Sequence, residues 1–163
     1  MSKLSLEEFL AKVEKLKASG TVDLSLEEDL SIAVMNLISL EEHFFFTAEK
    51  TGKKEYFDLL NQVRGMRKEL MGKMIDQHEG ETWCVAKHLL AASMRMIEVG
   101  TKLLGSDKKS EAEDMFKKAY EVYLLFWSLR LKLINLPDLK KTDADAPMTQ
   151  DEVLSRLLDC CKE

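Results

Sequence analysis

The chain is predicted to be all-α: a four-helix, up-down antiparallel bundle with short flanking helices at the N- and C-termini. Three observations carry this. Apolar residues recur at helical spacing through four long segments. Glycine-containing breaks of only a few residues separate those segments, which places sequential helices side by side. Both prolines, Pro137 and Pro147, come late, so the first 135 residues contain no strong helix breaker.

Ser5-Leu-Glu-Glu8 is a capping box, in which a hydroxyl and a carboxylate satisfy the first free amides of a helix. Phe9, Leu10, Val13 and Leu16 follow at helical spacing, and Gly20 stops this short flanking helix. A second box, Ser25-Leu-Glu-Glu28, is read as the start of a longer helix that ends near Thr51-Gly52. Its predicted inner face is Leu26, Leu30, Ala33, Leu37, Leu40, Phe44 and Ala48. The next helix is placed from about Lys54 to Gln77, with Phe57, Leu60, Val63, Met71, Met74 and Ile75 as its apolar positions.

The third long helix is bracketed by Gly80 and Gly105. At about 100° per residue, Trp83, Ala86, Leu89, Leu90, Met94, Ile97 and Leu104 fall on one broad arc. Ser106, or Ser110 boxed with Glu113, is read as opening the last long helix, which runs to about Asn135. From Met115 to Ile134 it is apolar almost all round, so it is expected to be central or covered by the terminal helices. The segment 136–148 reads as a loop, and the box Thr149-Gln-Asp-Glu152 opens a C-terminal helix over 149–162. Ser-Leu-Glu-Glu recurs at Ser5, Ser25 and Ser39 with unequal spacing, which is reused capping chemistry rather than an internal repeat.

One domain over 1–163, with its bundle core at 25–135, is the simplest count for a chain of this length. Hydrophobic residues at 45% and charged residues at 33% exclude a disordered chain. A net charge of −5 argues against non-specific binding to nucleic acid or to an anionic membrane, both of which reward positive charge. No apolar run approaches the 18 or so residues of a membrane span. Met1 to Leu10 has no long apolar run and contains Glu7 and Glu8, so no secretory signal is expected. Three cysteines, Cys84 and the vicinal Cys160 and Cys161, do not form a disulfide framework, and a cytoplasmic location follows as the expectation.

Opposite the apolar arc of the third helix runs a stripe of Cys84, His88, Ala91, Arg95, Glu98 and Lys102. Cys84 and His88 are four apart and share a helix face, so thiolate and imidazole could grip zinc or another transition metal. The pair supplies two ligands where a structural zinc needs four, and the simpler account is a buried cysteine acting as a small apolar residue beside a histidine at a packing edge. His78, across the Gly80 turn, and His43 are the other histidines. By helical rise His43 stands on the order of 15 Å higher in the bundle, so only an antiparallel homodimer or another helix order would join it to Cys84. Glu41 points nearer the core than Glu42 and needs a partner such as Arg64 or Arg67.

A ferritin-like di-iron site is disfavoured, because the chain has no Glu-x-x-His. A Cys84–His88 nucleophile pair is disfavoured too, since two consecutive turns of one helix rarely aim at a common carbonyl. Arg95, Glu98 and Lys102 form a binding stripe or, structurally, a solvated face held by an Arg95–Glu98 pair.

Trp83-Cys84-Val-Ala-Lys87-His88-Leu-Leu-Ala-Ala-Ser-Met-Arg95, running into Glu98-Val-Gly100-Thr-Lys102, resembles short helical-bundle proteins of candidate-phylum bacteria. Glu41-Glu42-His43 and the Lys53 to Lys73 helix share the likeness, which covers about residues 25–135. The resemblance implies a small bacterial cytosolic helical protein and carries over no activity, cofactor or site residue. Two readings follow from the residues themselves. The leading one is a small cytosolic binding or interaction module that forms a homo-oligomer or takes a helical protein partner. The other is a metal-dependent enzyme or sensor with its ion at Cys84 and His88, helped by His43 or His78.

Overall fold

A computed structural model describes residues 11, 14–15, 18–20, 23–75 and 81–134. These residues form helices and turns, with no strand among them. Four long helices dominate: α1 (Leu24–Thr51), α2 (Glu55–Gly72), α3 (Glu81–Gly105) and α4 (Lys109–Arg130). Ahead of α1, Ala11, Glu14, Lys15, Ala18 and Ser19 are helical, and Gly20 follows at φ 58°, as the predicted stop requires. The predicted loop at 136–148 and helix at 149–162 lie outside the described residues, as do His78, Cys160 and Cys161.

The helix ends show what local chemistry decides. Asp23 caps α1, accepting a hydrogen bond from the Leu26 amide at 3.1 Å, so Ser25 falls inside the first turn instead of capping it. Gly52 closes α1 in the left-handed conformation at φ 68°, its amide donating to Ala48 O at 2.8 Å. Lys53 and Lys54 complete the short turn into α2.

α3 ends at Gly105, but the left-handed residue is Asp107 at φ 58°. The Lys108 amide reaches back to Leu103 O, and the Asp107 amide to Leu104 O, the paired bonds of a Schellman motif. That motif consumes the turn, so α4 starts at Lys109 with no side-chain cap and neither Ser106 nor Ser110 opens it as expected. α4 stops at Arg130 rather than Asn135 by the same device, with Lys132 at φ 54° and the Leu133 amide on Ser128 O. α2 ends at Gly72, short of the predicted Gln77, and turns bury Met74 and Ile75 under the bundle.

α1 and α2 pack as one hairpin, α3 and α4 as another, and α1 lies against α3 in a helical bundle. The expected side-by-side packing of α2 with α3 is absent from these principal pairings; α1 takes that place. Glu27 of α1 pairs with Arg130 near the end of α4, and one turn along α1 the Ser31 hydroxyl meets the Tyr123 hydroxyl at 2.6 Å. The two ends of the described bundle therefore meet at one pole, and the two hairpin turns lie towards the other.

The core gathers Val34, Met35, Met71, Met74, Ile75, Trp83, Ala86, Leu90 and Phe126. On α1 this corrects the predicted inner face. Leu26 and Leu40 are exposed, and Glu27, Ser31, Val34 and Met35 are buried in their place. The helix is rotated because Glu27 and Ser31 have partners on α4 that an aliphatic face would lack.

Upper α3 meets α4 through Gly100, where an added Cβ would stand 2.5 Å from Cε1 of Phe116. Only glycine admits the Phe116 ring this close to the α3 backbone. Gly100→Ala is expected to destabilise the protein by about 1–3 kcal/mol by overpacking, despite alanine's better helix propensity. Chemical denaturation would measure this, and the double variant Gly100→Ala, Phe116→Leu should recover most of the loss.

Candidate functional site

The stripe on α3 was expected to present Cys84 and His88 together on a protected face. The four-residue step from Cys84 to His88 advances about 400°, leaving the two about 40° apart around the axis. That offset is enough to cross the edge of the buried surface. Cys84 is buried and in no disulfide, His88 is exposed, and Arg95 and Lys102 stand in solvent further along. Thiol and imidazole thus belong to different surroundings. Among the described residues no group of three or more His, Cys, Asp or Glu is arranged to hold a metal ion. His43 is exposed on α1, its ring edge-on to that of the adjacent Phe44 with centroids 6.3 Å apart.

Arg95 is the connected member of the stripe. It donates through Nη1 to Glu98, as the spacing predicted, and through Nη2 to Glu42 on α1, which the sequence reading did not identify. The guanidinium therefore ties the two hairpins together at mid-height. All three side chains are half exposed, so the clamp orients the helices more than it stabilises them. Glu41, next to Glu42, turns inward as expected and accepts from Arg67 Nε at 2.6 Å. The Arg67 side chain is only 2% exposed, which makes this the buried ion pair of the α1–α2 hairpin.

Beyond the Arg95 clamp the core stripes continue in sequence but not in burial. On α3, seven-residue steps lead from Trp83 and Leu90, both buried, to Ile97 at 42% exposure and Leu104 at 47%. On α1 they lead from Ser31 through Ile38 to Phe45 at 44%. Counting back along α2 from buried Met71 reaches Phe57 at 40%, and back along α4 from Trp127 reaches Tyr120 at 62%. Each helix thus exposes a large apolar side chain between mid-height and the turns, while Ala48, Ala112 and Ala119 in the same halves stay buried. Phe46 adds its ring edge-on to Phe45 at 5.2 Å, with the Lys50 ammonium over its outer face.

The polar groups around this end are paired within it. Lys118 donates to Asp114 at 2.7 Å; that hydrogen bond and the carboxylate's charge raise the ammonium's pKa above its ordinary value. Lys108 pairs with Glu111 across one turn.

Sequence reasoning placed Ile97, Leu104 and Phe57 among core residues and Tyr120 within the all-round apolar stretch of the last helix, and did not single out Phe45 or Phe46. One signal was available. Phe44, Phe45 and Phe46 in succession span about 200° of a helix, more than one core-facing stripe can bury. Comparison of the chain with known protein families, with curated proteins and with solved structures finds no match.

Proposed function

We propose that this chain is a small cytoplasmic helical binding module that docks a partner on the apolar end of its bundle. The observation supporting the reading is a set of exposed large apolar side chains, Phe45, Phe57 and Leu104 near the turns and Ile97 and Tyr120 nearer mid-height. Large apolar side chains exposed in number are a marker of association in soluble proteins. Their aromatic character is that of interface centres, where large rigid rings contribute most per residue. No helix among the described residues is long and apolar enough to cross a membrane, which agrees with a protein that works in water.

Uptake of the neutral dye Nile red tests the reading, at protein concentrations low enough to keep chains apart. The apolar end should bind the dye. Ile97→Lys or Phe57→Glu should lower the bound fluorescence several-fold with helix content unchanged. Met66 lies nine residues from Phe57, on the opposite side of α2, and is itself exposed. Met66→Lys should leave the signal intact. Absence of dye binding, or equal loss in all three variants, would refute the reading.

A further inference from the structure

We propose that Glu42, Arg95 and Glu98 form a charge-operated latch between the two hairpins, closed at low ionic strength and opening their turn ends when it is screened. The latch stands independently of what the exposed apolar side chains bind.

Each hairpin is closed on itself up to its turn. In the first, the Phe44 ring of α1 meets Tyr56 at the start of α2 with centroids 6.3 Å apart, and Ala48, one turn further, is buried. In the second, Phe116 of α4 presses on the α3 backbone at Gly100, and Ala112 beyond it is buried. These contacts travel with their own hairpin and do not hold one hairpin to the other.

Contact between the hairpins is graded along α1. At the pole of Glu27 and Arg130 it is sheltered: that ion pair is 10% and 17% exposed, and buried Ser31 meets the Tyr123 hydroxyl. The core shared by the hairpins, with Val34 and Met35 of α1, Trp83 and Leu90 of α3 and Phe126 of α4, belongs to the same half. About three turns further along α1, on the order of 16 Å by helical rise, Glu42 reaches Arg95. Here the two side chains are 45% and 46% exposed. Phe45 and Ile97, one heptad on from Ile38 and Leu90, already meet water. Apolar packing between the hairpins thus fades where the ion pair begins, so at that height charge holds α3 to α1.

Exposure decides what operates the latch. Raising salt from about 0.01 M to 1 M shortens the Debye length from about 30 Å to 3 Å, which weakens an exposed pair far more than a sheltered one. Geometry adds a second lever. Glu42 and Glu98 both accept from one guanidinium, so a carboxylate from each hairpin flanks it. With Arg95 between them the hairpins attract; without it, two like charges face each other and push the hairpins apart. The buried pole acts as the pivot. Opening uncovers Ile38 and Met94, which pack against the core just inside the latch.

Pulsed dipolar EPR on the full chain tests the latch, in a background of Cys84→Ala, Cys160→Ser and Cys161→Ser. One pair of spin labels at Lys53→Cys and Ser106→Cys spans the turn ends, and a control pair at Glu28→Cys and Leu125→Cys spans the pivot; all four positions are exposed or border solvent. Between about 0.01 M and 1 M sodium chloride the turn-end distance should lengthen by about 5 Å or more while the control pair holds. Arg95→Gln should invert the response, the ends standing widest at low salt and closing as salt screens Glu42 from Glu98. Glu42→Gln should flatten it, and Glu98→Gln, which keeps the pair across the hairpins, should follow the parent. Circular dichroism should show the same helix content throughout. A parent distance indifferent to salt overturns the latch, as do equal lengthening at both poles and an Arg95→Gln chain that responds in the parent's direction.

Discussion

Glu41→Leu is expected to lower folding stability by about 3–5 kcal/mol, although it replaces a polar residue with an apolar one on a buried face. The reason lies across the hairpin. Arg67 is the largest fully buried side chain among the described residues, and Glu41 accepts from it through both carboxylate oxygens, at 2.6 Å from Nε and 3.4 Å from Nη2. Removing the carboxylate takes the Glu41 counter-charge from a buried guanidinium that does not deprotonate at any relevant pH. For a chain of this size the loss corresponds to a fall of about 10 °C in the unfolding midpoint. The paired variant Glu41→Leu, Arg67→Met removes both charges at similar volume and should recover most of the stability. Urea denaturation followed by circular dichroism measures both. A single variant within about 1 kcal/mol of the parent would show that the pair is solvated and not buried.

Phe126→Ala is expected to cost a further class of energy, about 3–5 kcal/mol, from lost burial and the cavity left behind. Phe126 is completely buried, its ring stacked on Tyr123 at 6.1 Å and edge-on to Trp127 at 5.6 Å. Phe57→Ala, the same chemical change at the apolar end, should cost less than about 1 kcal/mol in the monomer, because that ring already meets water. The contrast between two phenylalanines in one denaturation series reports directly on where the core ends. Equal losses would place Phe57 inside the core and remove the exposed surface on which the proposed function rests.

Helix existence was legible from the sequence wherever punctuation and periodicity agreed. Gly52 ends α1 and Glu81–Gly105 forms α3, because a glycine stop and an apolar 3.6-residue period point to the same boundaries. The Glu41–Arg67 pair was legible as well, since an inward carboxylate in a packed bundle demands a cation. Cap identity was less so. Asp23 and Ser25 both carry suitable acceptors, and two residues of slippage decide between them.

Rotation of α1 was misread for a different reason. Leu26, Ile32, Leu40 and Phe46 leave apolar residues on nearly every side of the helix, so hydrophobicity alone does not orient it. The partners of Glu27 and Ser31 on α4 do, and they lie far away in sequence. The Cys84–His88 pair failed on angular resolution: an offset of about 40° between two residues is invisible in a spacing argument but decisive at the edge of a core. The apolar end was hidden more completely. A seven-residue apolar repeat looks the same whether neighbouring helices stay together or part, so only the arrangement of the two hairpins shows where burial stops.

The seclusion of Cys84 gives this molecule an internal clock. A thiol this buried reacts with an alkylating reagent chiefly during moments when α3 lifts from its neighbours. With Cys160 and Cys161 changed to serine, the alkylation rate of this single sulfur counts those openings. Its dependence on protein concentration then separates breathing of one chain from any restraint that association imposes on the hairpins.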